Sequence, residues 1–231
     1  MTFNRYFLMA RLMPAIICSV PFFLLYFFFL NASLGVFFQT LLSVPWLGGI
    51  STGIAFIFLL TLVGRSISKD IFERRWFNSD ETQMPTTNFL LHKDTEYSID
   101  FKRKLHEKIR TDLEIEVFTG AMEGRDETGA RKRIAEAVAL IRQRVKNGRL
   151  VLQHNIEYGF FRNLVGCSVI AVLVSTLDIW IFAAVASNAI ALKTSIVLLV
   201  LYLAPIIIAK PLMGVHGKRY ARVLIQEYLA L

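Results

Sequence analysis

The chain has 231 residues, 55% of them hydrophobic and 19% charged, with a net charge of +8. That balance lies outside the soluble norm. It averages two populations, four nearly charge-free segments and one highly charged stretch, 65–162, which holds 19 basic and 16 acidic residues. A net +3 over that stretch does not by itself argue for nucleic-acid binding.

The N-terminal Asn4–Arg11, with aromatics between Arg5 and Arg11, reads as an interfacial segment. The first apolar segment, Leu12–Leu30, is dense in phenylalanine (Phe22, Phe23, Phe27, Phe28, Phe29) and suits a lipid-facing position, with kinks expected at Pro14 and Pro21. It lacks a small-residue cleavage site and leads into a second apolar segment, so it reads as a span and not as a removable signal. The second, Leu42–Val63, carries Gly48, Gly49, Ser51, Thr52 and Gly53. Gly49 and Gly53 make a GxxxG step, which admits a close helix either within one subunit or between subunits.

The spacing of Ile67, Ile71 and Phe72 predicts that this helix continues to about Phe77. Polar residues and Pro85 break it over Asn78–Thr87, and Phe89-Leu90-Leu91 reads as a short buried strand or extended turn. Ser98 is placed to cap a helix over Ile99–Leu113, with Leu105 and Ile109 inward. Gly120–Gly129 reads as a loop. A further helix over Ala130–Lys146 has Ile134, Val138, Ile141 and Val145 on one face, with Gly148 as its C-cap. The third and fourth apolar segments are Leu164–Ala186 and Ser195–Ala209. Pro205 and Pro211 bend the last one into an amphipathic tail, Gly214–Leu231.

A span needs about 20 apolar residues. The first three segments reach that length, and the fourth, about 15 residues before Lys210, is extended by Pro211-Leu212-Met213; together the four separate 25 of the 26 Lys and Arg from the two short connectors, in which Lys193 is the lone basic residue. The positive-inside rule then puts both termini and the central stretch in the cytoplasm. The expected fold is an all-α integral membrane protein, two spans plus two, with a helical cytoplasmic module between spans two and three. The divisions are 1–64, 65–162, 163–213 and 214–231.

Three groups of residues could carry function. Ser168, Ser175 and Asp178 line one face of the third span at helical spacing, with the carboxyl about 21 Å along from Leu164. An ionisable residue at that depth faces a bundle interior or a water-filled cavity. A pore lining and a carboxyl hydrogen-bonded to a neighbour such as Ser51 or Thr52 are both open. A ring of Asp178 from several subunits would favour cations. Next, Asn155, Glu157, Tyr158, Gly159, Arg162 and Asn163 crowd the entry to that span, as a gating junction or as interface anchoring. Lastly, Lys102, Arg103, Lys104, Lys108 and Arg110 on one helix and Arg131, Lys132 and Arg133 on another offer cations to an anionic nucleotide or oligonucleotide, to headgroups, or to solvent. No P-loop, nucleophile elbow or metal-ligand spacing occurs, His92, His106, His154 and His216 are scattered, and Cys18 and Cys167 both fall in apolar segments. No enzyme, cofactor or metal site is expected.

Arg75-Trp76-Phe77, Pro85-Thr86-Thr87 with Leu90, Lys104-Leu105 and the block Asn155–Leu164 resemble an uncharacterised family of small bacterial four-span membrane proteins. The two-plus-two layout is also similar to membrane effectors of anti-phage systems, the Hailong-type channel effector and the Kiwa membrane subunit. That likeness implies a homo-oligomeric channel of the bacterial inner membrane, a tetramer being favoured, opened by a nucleotide signal. A membrane sensor or scaffold for a cytoplasmic partner protein and a membrane-bound enzyme are the alternatives.

Overall fold

The computed structural model describes residues 5–31, 45–77, 81–145 and 148–231. Every regular element among them is a helix. A long apolar run has no side chains with which to satisfy backbone polar groups, and a helix satisfies them internally. Four of the helices are long and apolar enough to cross a membrane: α1 (Phe7–Leu30), α2 (Ile50–Phe77, its first turns beginning at Pro45), α7 (Arg149–Ala184) and α8 (Ala189–Ile207). Between α2 and α7 lie α3 (Pro85–Asn88), α4 (Ile99–Leu113), α5 (Gly120–Arg125) and α6 (Glu127–Arg144), and α9 (Ala209–Ala230) follows α8.

The chain divides into two compact units. One comprises residues 1–72 and 159–209, the other 73–158 and 210–231.

In the first unit, α1 breaks at Ser19, where Pro21 has no N–H for the carbonyl of Ile17, four residues earlier. That freed carbonyl accepts the Tyr202 hydroxyl of α8 at 2.5 Å. Phe22 stacks on Phe56 at 3.8 Å between ring centres. Of the Gly49–Gly53 step, packing is described at Gly53, where an added Cβ would stand 3.0 Å from the Phe23 ring. The tighter crossing is elsewhere. A Cβ on Gly166 of α7 would stand 1.9 Å from the carbonyl oxygen of Gly64 on α2. The interior is Ala15, Cys18, Leu60, Cys167, Ala171, Leu198 and Tyr202, with Leu25, Ile181, Phe182 and Ala191 beyond. Outward residues are large and apolar, Phe27 at 66%, Ile54 at 64% and Val197 at 65% exposure, which in water would form an unfavourable surface. Both cysteines are free and buried.

In the second unit, Leu105 and Ile109 of α4, Ile134, Val138, Ile141 and Val145 along α6, and Ala221, Leu224, Ile225 and Tyr228 of α9 form one core. Phe89, Leu90 and Leu91 are buried in it as turns after α3 and not as a strand. Ser98 caps α4, accepting from the Phe101 N–H at 3.3 Å. The expected loop Gly120–Gly129 is instead a helix, a one-residue break and the start of another. Thr119 caps α5 through the Met122 N–H at 3.4 Å, and Asp126 caps α6 through the Gly129 N–H at 2.8 Å. Gly148 takes no left-handed conformation, and Val145 is the C-cap of α6.

Candidate functional site

Helix α7 turns Ser168, Ala171, Ser175, Asp178 and Phe182 to one side because they recur every three or four residues. That side faces inward. Ser168, Ser175 and Asp178 are each 0% exposed within a single chain. Ser168 Oγ lies 3.7 Å from Cys18 Sγ. Ser175 Oγ and both Asp178 carboxyl oxygens have no hydrogen-bond partner among the described residues. Ser51 is exposed, and neither it nor Thr52 bonds to the carboxyl. Ser195 of α8 is buried too, donating to the Ala191 carbonyl at 2.9 Å. A ring of carboxyls around an axis between subunits would need Asp178 on the outer surface of the bundle. The side-chain packing of the single chain puts it inside. An uncompensated carboxyl in a dry interior is costly as a charge, by several kcal/mol.

The expected junction residues all lie within the residue range of α7. Glu157 accepts from His154 Nδ1 at 3.2 Å and Gln153 Nε2 at 3.3 Å, and His216 Nδ1 of α9 stands 4.0 Å away. Asn155 is half-buried and Tyr158 buried. Gly159 permits a close approach. A Cβ there would stand 2.8 Å from the Tyr6 hydroxyl and 3.0 Å from the Ala10 Cβ. Asn163 is buried, and Arg162 beside it is half-buried.

The basic residues separate. Lys102 is 4% exposed, and its ammonium donates to the Leu91 carbonyl at 2.7 Å, the His92 carbonyl at 3.4 Å and the Asp94 carbonyl. Burial lowers its pKa, against the pull of Asp94 and Glu123. Its charge is used to close a turn. Arg131 is likewise engaged, by Glu127 at 2.7 Å, the Thr82 carbonyl at 2.8 Å and Asn88 Oδ1 at 2.6 Å. Arg133 donates to the Glu116 carbonyl at 3.2 Å and covers the Phe118 ring. Lys108 pairs with Asp112 at 3.2 Å. Arg103 pairs at the surface with Asp100 at 3.1 Å, and Lys104, Arg110 and Lys132 are exposed.

Sequence reading missed one grouping. His92 and His106 meet edge to face with centres 4.7 Å apart. They sit beside a cleft of about 500 Å³ that Lys102, Arg103, Arg110, Glu107 and Glu116 also line. His92 Nε2 faces the Phe118 carbonyl at 2.9 Å and His106 Nε2 the Leu90 carbonyl at 2.7 Å. Fourteen positions, spanning the turns after Leu91 and the first half of α4, separate the two histidines, so no local spacing could reveal the pair. Among the described residues no cluster of His, Cys, Asp and Glu is suited to a metal ion.

No protein-family model matches the chain, and neither a curated protein nor a solved structure is significantly similar to it.

Proposed function

We propose that the protein is a multi-pass protein of the bacterial inner membrane, with both termini and the helical stretch between α2 and α7 in the cytoplasm, and that it conducts a cation past Asp178 when it opens. The observation that carries this reading is the Asp178 carboxyl, fully buried on the longest apolar helix with both oxygens unpartnered. Ionisable residues inside apolar helices are costly and mark ion and proton paths. A closed, dry bundle penalises the carboxylate, and a hydrated form relieves that penalty. The residue therefore biases the bundle towards opening, and Ser168, Ser175 and Ser195 supply hydroxyls along the same interior. The path runs through each subunit's own helices and needs no axial ring, whether or not the subunits associate. Control by an anionic nucleotide or oligonucleotide, as in a defence effector, is supported by the cleft beside Arg103, His106 and Arg110.

The test is ion flux in liposomes. The purified protein should dissipate a potassium or proton gradient, and Asp178→Asn should change the rate or the ion preference while still inserting. Arg103→Glu with Arg110→Glu should remove any stimulation by nucleotide and leave basal flux unchanged. Identical flux in wild type and Asp178→Asn, or none in either, sinks the conduction reading and leaves a membrane scaffold.

A further inference from the structure

Over residues 12–64 and 164–209 the only Asp, Glu, His, Lys or Arg are Asp178 and Lys193. Lys193 is exposed near the start of α8. Asp178 is buried on α7, and its carboxyl has no hydrogen-bond partner among the described residues. Helices α7 and α8 follow one another through the short connector 185–188. Ala191 shares a core cluster with Phe182, and Tyr202 shares one with Ala171. That pairing is antiparallel, and two helices of equal rise keep step along it. Ser195, four residues after Ala191, therefore comes to the level of Asp178, four residues before Phe182. The Ser195 hydroxyl donates to the Ala191 carbonyl and not to the carboxyl. Ser175, one turn from Asp178, has a buried hydroxyl that is also without a partner among the described residues.

Two free carboxyl oxygens and one free hydroxyl are a poor shell for a dehydrated metal cation. A potassium filter replaces the hydration shell with rings of backbone carbonyls, and calcium takes about six to eight oxygens. The carbonyls along α7 are held by its own helix. The Ile17 carbonyl that Pro21 frees already accepts from Tyr202. A proton asks for much less, a single basic oxygen. The neutral acid is the form that a dry interior tolerates. A hydroxyl is donor and acceptor at once, so it can take up a proton on one lone pair and release its own. Carboxyls inside apolar helices serve as relay groups of this kind.

We propose that the conducted cation is a proton and that Asp178 carries it. This deepens the conduction reading above and rests on it. Water reaching the site from one side takes the proton from the Asp178 acid and leaves a carboxylate. Water from the other side returns a proton, so one proton crosses and the acid is restored. Ser175 stands about 4.5 Å along the axis and passes the proton between carboxyl and water on its side. Ser168 lies about 10.5 Å beyond Ser175, a gap that water must fill. The gradient alone drives the cycle.

The full-length protein in liposomes tests this through two separate fluxes. Proton entry is read by a trapped pH dye with valinomycin present, and potassium loss by an electrode with a protonophore present. Wild type should pass protons and should lose potassium no faster than empty liposomes. Asp178→Asn should lower proton entry roughly a hundredfold, and Ser175→Ala should slow it severalfold. Thr176 is exposed on the outer side of α7 and bonds to its own Val172 carbonyl, so Thr176→Val should change nothing. Potassium loss above that of empty liposomes, reduced in Asp178→Asn, overturns the proton assignment and leaves conduction standing. Flux of neither ion sinks conduction itself. If Asp178→Asn does not fold, the wild-type comparison of the two ions and Ser175→Ala decide, and an unchanged proton rate in Ser175→Ala overturns the assignment.

Discussion

The Tyr202 hydroxyl donates to the carbonyl of Ile17, the same carbonyl that Pro21 leaves without an intrahelical donor. A defect in α1 has thus become the docking point of α8. Tyr202→Phe leaves a carbonyl unpaired in an apolar setting and should lower stability by about 1–3 kcal/mol. In a Pro21→Ala background the restored N–H can satisfy Ile17, so the same change should cost less. Unfolding midpoints in detergent for the four proteins of this cycle measure the coupling. Additive effects would show that the hydroxyl acts elsewhere.

The α2–α7 crossing is the second point at which one atom decides. Gly166→Ala puts a Cβ where the Gly64 carbonyl oxygen and the Ser68 backbone already stand, 1.9 Å and 2.9 Å away. Backbone cannot rotate aside as a side chain can, so overpacking of about 1–3 kcal/mol is expected. Gly214→Ala on α9 meets nothing within 4 Å and should be neutral or stabilising by about 0.5–1 kcal/mol. Equal midpoints for the two variants would contradict the close crossing.

The second unit should weaken in mild acid. Burial holds the His106 pKa below its usual 6.5, with His92 and Lys102 pushing the same way against the Leu90 bond and Glu123. Falling pH therefore protonates the unfolded chain first, and the folded form binds fewer protons between 6.5 and its own lower pKa. Stability present at pH above 6.5 is lost as pH falls through that window. His216, also lowered by burial, adds the same sign. Circular-dichroism melts across that range should show a falling midpoint, with a shallower fall in His106→Gln. A midpoint that rises on acidification would reverse the assignment.

What could be read beforehand was what lies close in the chain. Ser98 and its N3 partner are three residues apart, and the inward face of α6 repeats within four, so both were legible. Helix α5 was hidden because Gly120 and Gly124 imitate a loop and Met122, not Glu or Gln, stands three residues after its Thr119 cap. The Gly64–Gly166 crossing, the hydrogen bond from Asn163 to the Ala10 carbonyl and the His92–His106 contact each join residues that only the fold brings together. The depth of Asp178 followed from the sequence, but the direction it faces depended on how α1 and α8 pack against α7. Likewise the basic count over 102–133 was visible, whereas the burial of Lys102 depended on the turn at Leu91–Asp94.

Asp178 offers the sharpest separation of stability from function. Its carboxyl is buried beside Ser175 with no partner among the described residues. Removing a buried, uncompensated ionisable group and filling the space with apolar atoms is commonly neutral or stabilising, by about 1–4 kcal/mol. Asp178→Leu should therefore raise the unfolding midpoint in detergent and stop conduction. Asp178→Asn, similar in shape but without charge, should raise it less and alter ion preference. A residue kept only for packing would behave in the opposite way, with Asp178→Leu losing stability because a hidden hydrogen bond had been cut. Midpoints and liposome flux measured on the same preparations decide between the two. A gain in stability joined to a loss of flux is the outcome expected when strain is retained for function.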